Sequence, residues 1–269
     1  AISAASASAL AFSTQPSSTG TAGAALSTQP VIQVRDAYAN LVGGASNSIT
    51  LAAFTDSGCT AAGAGTFSAT TNPLAASSGV ATFGGVSYAK AESIYVKATA
   101  AGLTAACSSV VAVSAASASQ LAFTTQPSST ALINDNFASQ PVVTVRDAYS
   151  NTVTTSSLSI TLGAYTDSGC TSAAGGALSA TSNPLSASSG VATFAGVQYN
   201  AGATIYVRAS GSGVTEACSS SVTVNVGPAS KLGFTTQPSS TGTAGAALSL
   251  QPAVSVQDAA GNTVPGATD

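Results

Sequence analysis

The sequence predicts an all-β chain of tandem two-sheet antiparallel sandwiches with about seven strands each. Three observations carry this expectation. Apolar side chains alternate with period two rather than 3.6, which sends them to opposite faces of a strand in turn. Turn-forming clusters punctuate these runs, and no capped amphipathic helix pattern interrupts them. One block also recurs without insertion or deletion. Leu10-Ala11-Phe12 with Thr14-Gln15-Pro16 returns as Leu121-Ala122-Phe123 with Thr125-Gln126-Pro127, and again as Leu232-Gly233-Phe234 with Thr236-Gln237-Pro238, an offset of 111 each time.

The strands of one repeat follow in order. Leu10 and Phe12 alternate with small residues, and Ile32 and Val34 alternate with Gln33 and Arg35. Ile49 and Leu51 alternate with Ser48 and Thr50, and Val80 to Phe83 is a short apolar run after a Ser-Ser-Gly turn. Ile94, Val96 and Ala98 alternate with Tyr95 and Lys97, and Val111 and Val113 form the last strand. The second repeat holds Val143/Val145, Ile160/Leu162, Val191 to Phe194, Ile205/Val207 and Val222/Val224 at the same places. Turns are expected at Asp36 to Asn40, Asn72-Pro73, Ser78-Gly79 and Ala101-Gly102, and at Asp258 to Asn262 in the third copy. Outward-facing Tyr95 and Tyr206 are expected to pack on a neighbouring loop.

The phase of the repeat sets the expected domains. Ala1 to Ser8 match Ala112 to Ser119, so residues 1–8 read as the end of a preceding repeat. Residues 9–119 and 120–230 are two complete repeats, and 231–269 is the start of a truncated third. With no initiator Met and no signal-peptide pattern, the chain reads as a window cut from a longer array.

Composition excludes several kinds of function. The 269 residues include 6 Lys or Arg and 9 Asp or Glu, a charged fraction of 6%, against roughly 25% for an ordinary soluble domain. There is no His, Met or Trp. Absence of His removes the Ser-His-Asp triad, the Cys-His pair and every imidazole metal ligand. A net charge of −3 with so few cations makes no polyanion-binding patch, so no nucleic acid is expected. No apolar run approaches the ~18 residues of a bilayer span. Serines are abundant, but Lys90, Lys97, Arg208 and Lys231 are expected to stand isolated on outer faces or turns, leaving no base to activate a nucleophile. The glycines at Gly20–Gly23 and Gly242–Gly245 lack the Gly-Lys-Ser/Thr of a phosphate loop. No enzyme and no cofactor are expected.

Two sets of residues invite a role. Cys59 and Cys107 recur as Cys170 and Cys218 at the same offset, and equal placement favours one bridge inside each repeat, Cys59–Cys107 and Cys170–Cys218. Cys107 shares parity with Val111 and Val113 and is therefore expected to face the core. The alternative is a pair of buried free thiols per repeat. Two Cys without His do not make a zinc site. The candidates for an oxygen-ligated calcium are Asp36, Asn40 and Asp56, with Asp147, Asn151 and Asp167 in the next repeat. The competing reading of Asp36 and Asn40 is an Asx-type turn, and no metal is the primary expectation.

Three stretches resemble bacterial immunoglobulin-like tandem repeats: Leu121 to Thr130, Gln140 to Val153 and Gly190 to Phe194. The glycine-bracketed segment Thr166 to Cys170 is similar to them as well. Such repeats occur in long secreted and cell-surface proteins and resemble the stalk modules of invasin- and intimin-type adhesins. The resemblance implies an immunoglobulin-like sandwich and an extracellular or cell-surface location. It is weak for function, because one fold hosts many roles.

The expected function is a structural repeat segment of an extracellular fibre, stalk or sheath. Its partners would be other copies of the same protein, end to end within the chain and laterally between chains. The alternative is an adhesin-type module that recognises a glycan or surface protein through loops at the sandwich ends. A third possibility is an accessory segment that positions a catalytic domain.

Overall fold

A computed structural model describes residues 3–267. The chain divides into two compact units, residues 1–118 with 146–153, and residues 119–145 with 154–269. The described residues contain strands and turns and no helix, and the fold is a tandem of immunoglobulin-like β-sandwiches.

The first unit contains β1 (Ala7–Thr14), β2 (Thr19–Thr21), β3 (Val31–Asp36), β4 (Ser48–Phe54), β5 (Phe67–Ser68) and β6 (Leu74–Ala75). It continues with β7 (Val80–Thr82), β8 (Ser87–Tyr88), β9 (Ser93–Thr99), β10 (Ala106–Cys107) and β11 (Val111–Ser114). One sheet has the order β1-β3-β7; the other has the order β2-β11-β9-β4-β6, with β10 also on β9. A short ribbon pairs β5 with β8. Leu10, Ile32 and Val34 of the first sheet meet Ile49, Leu51, Ile94, Val96, Val111 and Val113 of the second in one buried cluster. Every second residue of β4 and β9 is buried, as the period-two pattern requires.

Pairing is mostly antiparallel, but β2 runs parallel to β11, and single parallel bridges join Ala9 to Thr104 and, in the second repeat, Gln120 to Thr215. Pro16 ends the first strand, because it has no N–H for the ladder. The chain then crosses to the other sheet, where Thr19–Thr21 continues beside the last strand. The Gln15 side chain covers this crossing by accepting the Ser109 N–H at 3.0 Å. Asn72 plays a similar edge role, since its amide pairs with both the N–H and the C=O of Leu51, at 2.9 and 2.8 Å.

The second unit contains β12 (Gln120–Thr125), β13 (Thr130–Leu132), β14 (Val142–Arg146), β15 (Ser159–Tyr165) and β16 (Leu178–Ser179). It continues with β17 (Leu185–Ser186), β18 (Val191–Thr193), β19 (Gln198–Tyr199), β20 (Ala203–Ser210) and β21 (Ala217–Asn225). The sheets are β12-β14-β18 and β13-β21-β20-β15-β17, with β13 parallel to β21. Two further strands, β22 (Lys231–Thr236) and β23 (Ala253–Gln257), form a hairpin. Leu232 and Val254 are exposed there, whereas their counterparts Leu121 and Val143 are buried. Among the described residues 231–267 there is one sheet and no facing one.

Both complete sandwiches bury a tyrosine. The Tyr88 hydroxyl accepts the Gly65 N–H at 2.7 Å and donates to Glu92 Oε1 at 2.5 Å. Burial first, and then the Glu92 carboxylate, push its phenol up to about 12. Tyr199 accepts the Gly176 N–H at 2.8 Å, and Ala203 stands where Glu92 would be.

Candidate functional site

The feature that recurs in all three repeats is a buried aspartate at the end of the first hairpin turn. Asp36 Oδ1 accepts the Tyr38 and Asn40 N–H groups at 2.9 Å each, and Oδ2 accepts Asn40 Nδ2 at 3.1 Å. That much is an Asx-type turn. Oδ2 also accepts the N–H of Ala5, 31 residues earlier, at 2.8 Å. Asp147 takes the Ala116 N–H at 2.9 Å and Asp258 takes the Gly227 N–H at 3.0 Å, again 31 residues apart. Each carboxylate thus fastens the segment that leads into its own repeat.

The electrostatics follow from this geometry. Burial by itself raises the Asp36 pKa, but the Ala5 N–H, the Asn40 amide and N–H and the Tyr38 N–H outweigh it and hold the group down at about 2. Asp147 is lowered in the same way: burial opposes, and the Asn151 amide and the Ala116 N–H prevail. Asp258 is lowered chiefly by the Asn262 side chain, which outweighs the opposing effect of burial, with the Asn262 and Gly227 N–H groups adding to it. Hydrogen bonds from backbone and amide N–H groups thus keep these carboxylates ionised at neutral pH.

The cysteines are bonded as Cys59–Cys107 and Cys170–Cys218, with Cα atoms 6.1 and 5.9 Å apart. The bridge lies on the outer face of its sheet, which corrects the parity expectation for Cys107. Cys107 pairs with the outward residue Lys97, and Ser108 turns inward in its place. An irregularity between Cys107 and Val111 shifts the register, so that parity counted back from Val111 fails. Ser108 Oγ accepts the Val96 N–H at 2.8 Å and donates to the Ser109 carbonyl at 2.7 Å. Ser219 does the same with Val207 and Ser220, beside a register shift between Tyr206 and Arg208.

The bridge pins a small hairpin, whose arms join through Phe54 and Ala62, over that outer face. Asp56 closes its tip by accepting the Thr60 and Ala61 N–H groups at 2.9 and 2.6 Å, and the Ala61 N–H is the main cause of its lowered pKa. Asp167 accepts the Ser172 N–H at 2.7 Å in the same role. Lys97 Nζ donates to the Cys59 carbonyl at 3.0 Å and sits 5.0 Å from the centre of the Phe54 ring. Arg208 lies 4.2 Å from the centre of the Tyr165 ring and pairs with Glu216 at 3.0 Å. Tyr95 stands opposite Phe54, and Tyr206 opposite Tyr165, so both outward tyrosines are half-buried in this layer.

The cations are therefore not isolated as expected: Lys90 also pairs with Glu92 at 2.8 Å. One Ser-x-x-Lys spacing, Ser87-Tyr88-Ala89-Lys90, does occur; the Lys90 amine is engaged by Glu92 rather than by Ser87. The calcium candidates fall into two separate turns. Asp36 and Asn40 bond each other, as do Asp147 and Asn151, while Asp56 and Asp167 cap the outer hairpins. Their oxygens face N–H donors. Among the described residues no group of three or more His, Cys, Asp or Glu side chains could hold a metal, and no helix is long and apolar enough to cross a membrane.

No protein-family profile matches the chain, and no curated protein does. Solved structures overlap it partially. The Yersinia pseudotuberculosis adhesin InvE is 14% identical, with a TM-score of 0.32, over 81% of this chain and 59% of that one. Domains 4–9 of the surface layer protein SbsC are 16% identical, with a TM-score of 0.32, over 97% of this chain and 38% of that one. A Parabacteroides merdae β-glucuronidase is 12% identical, with a TM-score of 0.28, over 78% of this chain and 24% of that one. The chain thus spans less than two thirds of the length of each, and at these scores none assigns it a role.

Proposed function

We propose that the chain is a spacer segment of an extracellular fibre, stalk or sheath, in which tandem sandwiches set length. The observation that carries this reading is the threefold aspartate clasp. Ala5, Ala116 and Gly227, each in the segment leading into a repeat, are hydrogen-bonded to a buried carboxylate of that repeat. A flexible hinge would instead leave such a segment solvated and polar. Two disulfides suit a compartment outside the reducing cytosol.

The partners in this reading are other copies of the same protein. Within a chain they follow end to end. Between chains they pack laterally, because a surface with so few charges lacks the repulsion and the edge protection that keep sandwiches apart. Small Ser, Thr and Ala faces lose little side-chain entropy on contact, and an array repeats each weak contact many times. Electron microscopy of native material, with mass analysis of the chain, tests this. Unmodified threads that touch along their length are the expected result. Single, separate threads carrying Ser/Thr-linked sugars would refute lateral packing.

A further inference from the structure

Within the first unit, the turn at Gly23 meets the loop 146–153. Gly23 has φ +75° and donates its N–H to the Tyr88 carbonyl at 2.9 Å. A Cβ at this position would overlap the ring of Tyr149, so glycine is what lets the ring lie there. Beside it, Asn151 Nδ2 donates to the Ala89 carbonyl and Oδ1 accepts the Ala91 N–H, both at 2.9 Å. The loop is seated by one ring and one amide.

The second unit has the same parts with their sizes exchanged. Asn134 occupies the place of Gly23, with φ +64° and its N–H on the Tyr199 carbonyl at 2.9 Å. The backbone turn is therefore the same, and asparagine tolerates it. Ala260 stands where Tyr149 stood. A cavity of about 120 Å³ remains there, lined among others by Ile133, Asp135 and Ala260. The glycine form of the turn thus goes with a tyrosine on the loop, and the asparagine form with an alanine.

The loop Asp36–Val42 carries the tyrosine form. Arg35-Asp36-Ala37-Tyr38 repeats Arg146-Asp147-Ala148-Tyr149, with Asn40 in the place of Asn151. Tyr38 is 80% exposed, against 49% for Tyr149. Val42 is half-buried where Val153 is buried, and Asn40 is exposed where Asn151 is half-buried.

We propose that the Asp36–Val42 loop is a docking surface for another copy of this repeat that carries glycine at the Gly23 position. The size match between this residue and the one at the Tyr149 position then decides which repeats can be neighbours. A wrong neighbour is rejected by a clash of two bulky groups. By the same rule Gly245, with open space where a Cβ would be, accepts a repeat of the Tyr149 kind. The proposal rests on the tandem-spacer reading and adds an order to it: successive repeats are not interchangeable.

Nitration by tetranitromethane, read at each tyrosine by peptide mass analysis, tests the proposal on the full chain. Tyr149 is expected to react more slowly than Tyr38. In Gly23→Asn that difference is lost, while the fold persists because Asn134 already occupies the equivalent turn. Two lengthened chains complete the test, each with its leading Tyr38→Phe so that one Tyr38 remains. Joining 1–119 to 9–269 places Gly23 ahead of this Tyr38, and joining 1–230 to 9–269 places Asn134 ahead of it. Tyr38 should slow to the rate of Tyr149 in the first chain and stay fast in the second. Equal Tyr38 rates in the two lengthened chains, or no response of Tyr149 to Gly23→Asn, would overturn the size match and leave the spacer reading standing. A Tyr149 as reactive as Tyr38 in the unaltered chain would remove the seat itself.

Discussion

Replacing both cysteines of the first repeat, Cys59→Ala with Cys107→Ala, should destabilise that repeat and spare the second. The bridge spans a sequence separation of 48. In the chain-entropy model, closing a loop of this length removes about 14 cal/mol/K from the unfolded ensemble, or about 4 kcal/mol at 25 °C. The native core should persist, because the bridge lies on the outer face and the buried cluster of Leu10, Ile32, Val96 and their neighbours contains neither cysteine. The loss therefore acts through the unfolded state. With a urea dependence of ~2 kcal/mol/M for a domain of this size, the midpoint should fall by about 2 M. Hydrogen-exchange mass spectrometry across a urea series resolves the two repeats by their peptides, and the repeat holding Cys170–Cys218 serves as the internal reference. A loss below ~1 kcal/mol in the first repeat would refute the loop-entropy reasoning. An equal loss in the second would refute the independence of the two bridges.

Further outcomes follow from single groups. Ser108→Ala leaves the buried Val96 N–H without its acceptor and should cost about 1–3 kcal/mol by urea unfolding, with Ser219→Ala equivalent in the second sandwich. A cost within error of zero would mean that the hydroxyl is dispensable. Asp36 has a folded pKa of about 2 against about 3.9 unfolded. Its contribution is thus complete above the unfolded value and lost as the pH falls through the folded one. The thermal midpoint should stay level from neutral pH to about 5 and fall between about pH 4 and 2; a midpoint level down to pH 2 would contradict the clasp. Separately, the hairpin of β22 and β23 exposes Leu232, Phe234 and Val254. Deleting residues 231–269 should therefore reduce binding of a hydrophobic dye, measured by fluorescence.

Much of the sandwich was legible because its information is local. The alternation in Ser48–Phe54 and Ser93–Thr99 assigns faces directly, and the offset shared by Cys59/Cys170 and Cys107/Cys218 pairs the cysteines within repeats. What escaped depends on geometry that alternation does not encode. The irregularity after Cys107 inverts its face, and only the burial of Ser108 reveals it. The parallel pairing of Thr19–Thr21 follows from a change of sheet after Pro16, and alternation within a strand does not say which sheet the chain joins next. Asp36 was readable as a turn residue through its spacing from Asn40. Its bond to Ala5 was not, because a backbone N–H leaves no trace in residue type. The match of Gly23 to Tyr149 was similarly hidden, since either residue alone is unremarkable in a turn.

Fastening of the leading segments is the central claim, and amide exchange at Ala116 and Gly227 tests it most directly. In the full chain both N–H groups should exchange far more slowly than unstructured backbone. In Asp147→Ala the Ala116 amide should become fast while Gly227 stays protected by Asp258. Exchange of both amides at unstructured rates in the unaltered chain would show that these segments are free hinges, and would contradict the account.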